Sequence, residues 1–162
     1  MEIPRELIKA AGGERGGIDI TDLIINAISK NDPLIGGVKL RLQLAEKYLN
    51  EAKDYVSKGD AIQASEKLYR AAEECIKALA EKYNLPEFQQ ALKEGRWFTH
   101  YLQKASNRLA STLGSWVAAG WAAGYALHVW GFHEGKLGVE DLTSYLKLIE
   151  DLVTNARRVI ET

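Results

Sequence analysis

The sequence predicts an all-α fold: four main helices in a bundle, with an extra short N-terminal helix and a short connecting helix. Three observations carry this. The 162 residues are rich in Ala, Leu, Glu and Lys, with three prolines and one methionine, a composition that favours helix. β-branched runs of strand length are almost absent. Apolar residues recur at alternating spacings of three and four, the stripe of an amphipathic helix. A chain of this length buries one core.

Residues 1–33 read as an N-terminal arm, because Ala11-Gly12-Gly13-Glu14-Arg15-Gly16-Gly17 holds too much glycine for a stable helix. These glycines lack the Lys-Ser or Lys-Thr ending of a phosphate loop and read as a hinge. Within the arm, Asp19 or Thr21 is placed to cap a short helix through Leu23, Ile24, Ile25, Ala27 and Ile28, ending before Pro33. Residues 34–162 form the bundle domain.

The first main helix carries Val38, Leu42, Ala45, Leu49, Ala52 and Val56 on one stripe and stops at Gly59. Asp60 caps the second, whose stripe is Ala61, Ala64, Leu68, Ala71, Cys75 and Leu79. The turn Lys58-Gly59-Asp60 makes the two antiparallel neighbours. Asn84-Leu85-Pro86 breaks the second helix, and Pro86 suits the first turn of a short one through Lys93, ended by Gly95. A helix from near Trp97 reaches Gly114, where it kinks or restarts, and continues from Trp116 to about Val129. A loop with Gly131, Gly135 and Gly138 follows. The last helix begins near Glu140 and Asp141 and packs Leu142, Tyr145, Leu146, Ile149, Leu152, Val153, Ala156 and Val159; Arg157 and Arg158 suit its negative end.

Lys and Arg total 21 against 22 Asp and Glu, a net charge of −1, and no block of one sign offers a footprint for nucleic acid or anionic lipid. Cys75 is the sole cysteine, so it forms no internal disulfide and reads as inert core. The N-terminal residues lack a secretory pattern, and the expected compartment is the cytoplasm. Leu109–His133 contains no Lys, Arg, Asp or Glu, and at helical rise it exceeds a bilayer core of roughly 30 Å. Its Ser, Thr, Gly and His residues argue against insertion, so no membrane association is expected. The favoured reading is a helix covered on all sides, with Gly120 and Gly124 forming a smooth strip for close approach and Trp116 and Trp121 filling space beside it. These four are the expected homodimer seam.

The run Leu40-Arg41 through Glu46, the stretch Ala64-Ser65-Glu66-Lys67-Leu68-Tyr69-Arg70-Ala71-Ala72-Glu73, and Leu127-His128-Val129-Trp130-Gly131-Phe132-His133-Glu134 together resemble the HEPN superfamily over about residues 38–160. Its archaeal PaREP branch is the most similar. The resemblance implies an up-and-down four-helix bundle, frequent homodimers, and members that either cleave RNA or serve as non-catalytic partners of nucleotidyltransferases. Catalytic members pair an Arg with a His after four to six intervening residues. Counting back, His128 meets Trp121, Ala122 and Ala123, and His133 meets Ala126, Leu127 and His128; no arginine stands there. Arg96 precedes His100 with only three residues between, which puts both on one helical face and misses that spacing. The first helix pair also resembles a tetratricopeptide unit, and no second copy follows it.

Tyr125, His128, Trp130 and His133 combine aromatic surface with hydrogen-bonding tips around one helix end and form the expected ligand site. With Glu134 adjacent, His128 and His133 have the chemistry of an acid–base pair or metal ligands; no metal and no cofactor is expected. Arg96, His100, Lys104 and Arg108 form a basic stripe, favoured as a solvated face paired to acids such as Glu73 and Glu74 over an RNA-backbone site. The expected function is thus a non-catalytic, homodimeric helical module binding a partner protein or nucleotide-like ligand. The alternative is a divergent, metal-independent ribonuclease drawing on Arg96, His100, His128 and His133.

Overall fold

The computed structural model describes residues 20–31 and 36–162, and among them all regular structure is helical. Helix α1 spans Ile20–Asn31, α2 Gly36–Ser57, α3 Ala61–Lys82, α4 Pro86–Glu94, α5 Thr99–Leu113, α6 Ser115–Ala126 and α7 Thr143–Glu161. A π-helical segment, Leu127–His133, continues α6, and a 3₁₀ turn, Val139–Asp141, precedes α7. No helix is long and apolar enough to cross a membrane among the described residues.

Local chemistry sets most boundaries. Gly59 turns the chain with φ +76°, and Asp60 then accepts the Gln63 N–H at 3.0 Å, capping α3 as expected. Pro86 opens α4, where its missing N–H costs nothing, and left-handed Gly95 closes it. The expected break falls at Gly114, whose φ of +132° ends α5 and starts α6.

Helix α3 is the central member, packed against α2 along its length and also touching α4, α5, α6, the π segment and α7. Leu68, Cys75, Ile76 and Leu79 are fully buried there, meeting Leu102 and Leu109 of α5, Trp121 of α6 and Ile149 and Leu152 of α7. Burial pushes the Cys75 thiol up, in keeping with an inert core cysteine.

Three expectations change. Gly131 lies inside the π segment and is buried, where a loop was expected. The reason is proximity to α3: a Cβ on Gly131 would sit 2.1 Å from Ser65 Oγ, so only glycine lets the helices meet there. The helix expected from Trp97 begins at Thr99, leaving Arg96 in the preceding turn. Thr21 lies within α1 and is not its cap, while Asp19 and the glycine hinge lie outside the described residues. Helix α1 itself packs on α2 and hydrogen-bonds to α3.

Candidate functional site

His128 and His133 meet because the helix that carries them changes type. Five residues along an α-helix turn the side chain by about 140° net, which would separate the two rings. In the π segment hydrogen bonds run from i to i+5, as between the Glu134 N–H and the Val129 carbonyl at 2.8 Å, and a residue comes to lie over the one five before it. The His133 and His128 Nε2 atoms are 3.1 Å apart. On the other side of His128, its Nδ1 lies 3.0 Å from Glu66 Oε2 on α3.

This chain of groups dictates its own proton positions. A carboxylate only accepts, so with both rings neutral His128 Nδ1–H donates to Glu66. His128 Nε2 then accepts the Nε2–H of His133, and Nδ1 of the exposed His133 is left as an acceptor facing outward. One added proton turns that nitrogen into a donor, its charge backed by Glu66 through the two rings. Arg70 lies across from the other Glu66 oxygen at 3.7 Å.

Aromatic rings wall the cluster. Tyr69 stacks on His128 with centroids 4.0 Å apart, and the Phe132 ring lies near parallel to it at 6.2 Å. Burial, reinforced by Glu73 and Glu66, pushes the Tyr69 hydroxyl up, so it remains a phenol, in contact with the Thr99 side chain. Tyr125 stands 6.3 Å from His128 and is exposed, as is Trp130 at 55 %. An open groove of about 550 Å³, lined by Lys58, Asp60, Ile62, Gly135, Leu137 and Glu140 among others, begins within one turn of Glu66 and two residues beyond His133.

The structure therefore brings His128 and His133 together with Tyr125 beside them and Trp130 on the same segment. Glu134 is exposed beyond the segment, and the carboxylate that completes the cluster is Glu66. Sequence reasoning missed Glu66, Tyr69 and Phe132 as site residues. A usable signal was present: Tyr69 and Arg70 follow Glu66 at spacings of three and four beside the α3 stripe, on the edge where Glu66 and Tyr69 meet His128. No group of three or more His, Cys, Asp or Glu side chains is arranged to hold a metal among the described residues.

The remaining candidates go elsewhere. Arg96 and His100 gather around Phe98, the guanidinium 4.3 Å and the imidazole 5.7 Å from its ring, and do not share a helix face. Arg108 pairs with Glu87 at 2.9 Å. Glu73 and Glu74, the expected partners of the basic stripe, instead face Lys77 and Arg41. The small-residue strip is occupied within the chain: a Cβ on Gly120 would strike Leu152 of α7 at 2.6 Å, and one on Gly124 would strike Ala72 of α3 at 2.8 Å. Trp121 is 1 % exposed and donates to Gln103 at 2.8 Å, and Trp116 is half-buried, donating to the Leu113 carbonyl.

The sequence matches the archaeal PaREP1/PaREP8 family over residues 40–153. It is similar to a protein from Sulfolobus solfataricus of known crystal structure, 40% identical, with a TM-score of 0.65 over 70% of this chain and 93% of that one. A solution structure of the same structural-genomics target is 38% identical, with a TM-score of 0.64 over 72% of this chain and 91% of the other. No curated protein matches. The matched span includes Glu66, Tyr69, His128 and His133.

Proposed function

The chain belongs to the archaeal PaREP1/PaREP8 family, and from that premise we propose that it is a non-catalytic, cytoplasmic, homodimeric helical module that binds a nucleotide-like ligand. In this reading the body is an up-and-down four-helix bundle of the HEPN kind, and the ligand docks at His133, which His128 and Glu66 hold in place. The observation that carries the reading is the hydrogen-bonded series Glu66–His128–His133, ending on an exposed imidazole. A phosphate oxygen accepts from that imidazole once it is protonated, and the exposed Tyr125 and Trp130 rings offer stacking faces for a base.

The dimer uses a different face of α6 from the glycine strip. Ala122 and Tyr125 of α6 and Trp130 of the π segment are exposed on an uncharged stretch, and large exposed aromatic side chains of this kind suit contact with a second copy. The ligand site then lies at the edge of the seam, with Gly120, Trp121 and Gly124 serving each protomer's own core.

Titrating adenosine monophosphate into the protein tests the reading, with tryptophan fluorescence and calorimetry as readouts. Saturable binding that His133→Ala weakens about tenfold, roughly 1.4 kcal/mol, supports it. No heat and no fluorescence change at millimolar nucleotide contradicts it.

A second reading is favoured by one specific observation, the 3.1 Å approach of two imidazoles with a carboxylate behind them. That arrangement can hold and move a proton, the chemistry of a metal-independent ribonuclease. Cleavage of single-stranded RNA in excess chelator, lost in His128→Ala and in His133→Ala, would replace the first reading with this one.

A further inference from the structure

Helix α1 docks with Asp22, Asn26, Ser29 and a single isoleucine, Ile25, buried. Asp22, Asn26 and Ser29 are 5 %, 7 % and 4 % exposed, while Ile20 and Ile24 face out at 41 % and 50 %. Asp22 is clasped by two cations from two helices: Oδ1 lies 2.7 Å from Arg41 Nη1 of α2, and Oδ2 lies 2.8 Å from Lys77 Nζ of α3. Arg41 also donates to Glu74 at 2.8 Å and to Asn26 Oδ1 at 3.4 Å, and Ser29 donates to Glu81 at 2.7 Å. Arg41 and Lys77 are each 1 % exposed.

This is a poor way to build a helix dock for stability alone. Buried ion pairs repay little beyond their desolvation cost, whereas Ile20 and Ile24 turned inward beside Ile25 would contribute directly. It is a suitable way to build a reversible one, because undocking α1 returns Arg41, Lys77 and Glu74 to water and uncovers, among the described apolar side chains of α1 that are buried, Ile25 alone. Helix α1 also lies before the family match, which begins at residue 40, whereas Arg41, Glu74, Lys77 and Glu81 lie inside it. The clasp belongs to the body, and the carboxylate that fills it comes from the extra segment.

We propose that the Arg41–Lys77 clasp is an oxyanion site, for a carboxylate or a phosphate group, that α1 occludes by presenting Asp22 as an internal stand-in for the ligand. Glu74 lies 2.8 Å from Arg41 and Glu73 lies 3.4 Å from Lys77, and Asp22, which reaches both cations within 2.8 Å when docked, supplies the anion that comes from outside α2 and α3. A ligand of that charge replaces it like for like and releases α1. This site lies on the Asp22 side of α3 and shares no residue with the histidine cluster, so its test is independent of nucleotide binding there.

The experiment uses the full chain, wild type and Asp22→Asn. Calorimetry with inorganic phosphate and with acetate, against chloride at equal ionic strength, measures binding. Hydrogen exchange reads the protection of α1. Asp22→Asn is expected to exchange α1 amides at least about tenfold faster while α3 stays protected, and to bind one of the two anions at least about tenfold more tightly than wild type. The added change Arg41→Gln should abolish that binding. Phosphate alone as the bound anion assigns the site to phosphorylated ligands, and acetate alone to carboxylates. Should Asp22→Asn fail to fold, the wild-type exchange decides: phosphate or acetate must accelerate α1 beyond chloride. No anion binding to a folded Asp22→Asn chain, binding that survives Arg41→Gln, or wild-type exchange indifferent to both anions overturns the proposal.

Discussion

Glu66 acts at the proposed ligand site through another residue, by holding the proton on His128 Nδ1 and so fixing which nitrogen His133 meets. Glu66→Gln keeps the size and offers an amide that can present either end to the ring. It is expected to weaken nucleotide binding by about tenfold with little change in melting temperature, since the side chain lies at the bundle's edge; calorimetry and a thermal melt on the same sample check both halves. Asp22 makes a prediction of opposite character. Burial alone would raise its carboxyl, but Lys77 and Arg41 outweigh that and hold it below the usual 3.8. Its contribution to stability is therefore complete above that ordinary value and is lost as pH falls through the depressed one. Glu73, beside Lys77, has the other sign: burial raises its carboxyl despite that lysine, so it favours the folded state while protonated and less as pH rises. With Arg41, Glu73, Glu74 and Lys77 around Asp22, α1 should lose hydrogen-exchange protection in acid, below about pH 4, ahead of α3. Asp22→Asn should remove that acid step.

At the scale of the element, the π segment is the feature on which the histidine cluster depends. Gly131→Ala places a methyl against Ser65, an overpacking expected to cost about 1–3 kcal/mol and to separate His128 from His133. A thermal melt and imidazole NMR signals would register the two effects separately. Asp60→Ala should cost about 1 kcal/mol in chemical denaturation, without touching the histidines. These two changes mark what was legible in the sequence. Asp60, Pro86, Gly95 and Gly114 act within a turn of themselves, so their helix ends could be read directly. Gly131 acts through Ser65, sixty-six positions away, so the helix was expected to end near Val129 and the part of the segment around Gly131 read as a loop. Helix α1 misled differently: its isoleucines follow helical spacing, yet Ile25 is buried while Ile20 and Ile24 face out, and the clasp that draws Asp22 inward is built from residues far along the chain. His128 and His133 were visible as a pair, while Glu66, which organises them, was hidden by its distance of sixty-two positions along the chain.

For the whole molecule, the central uncharged stretch now has two divided uses. Gly120 faces α7 and Gly124 faces α3 within the chain, Trp121 is buried beside them, and Ala122, Tyr125 and Trp130 are exposed. Gly120→Leu should therefore unfold or strongly destabilise the protein, whatever its oligomeric state, whereas Trp130→Glu should leave the fold intact and convert the proposed dimer to a monomer by light scattering. A wild-type monomer at all concentrations would remove the seam and leave the histidine cluster as a site within one chain. The most direct measurement concerns that cluster: follow the ring signals of His128 and His133 by NMR while adenosine monophosphate is added. The account predicts that both move together and saturate, His133 the more, while the His100 ring stays still. Rings of His128 and His133 that remain unmoved at millimolar nucleotide, in a protein whose fold is intact, would contradict it.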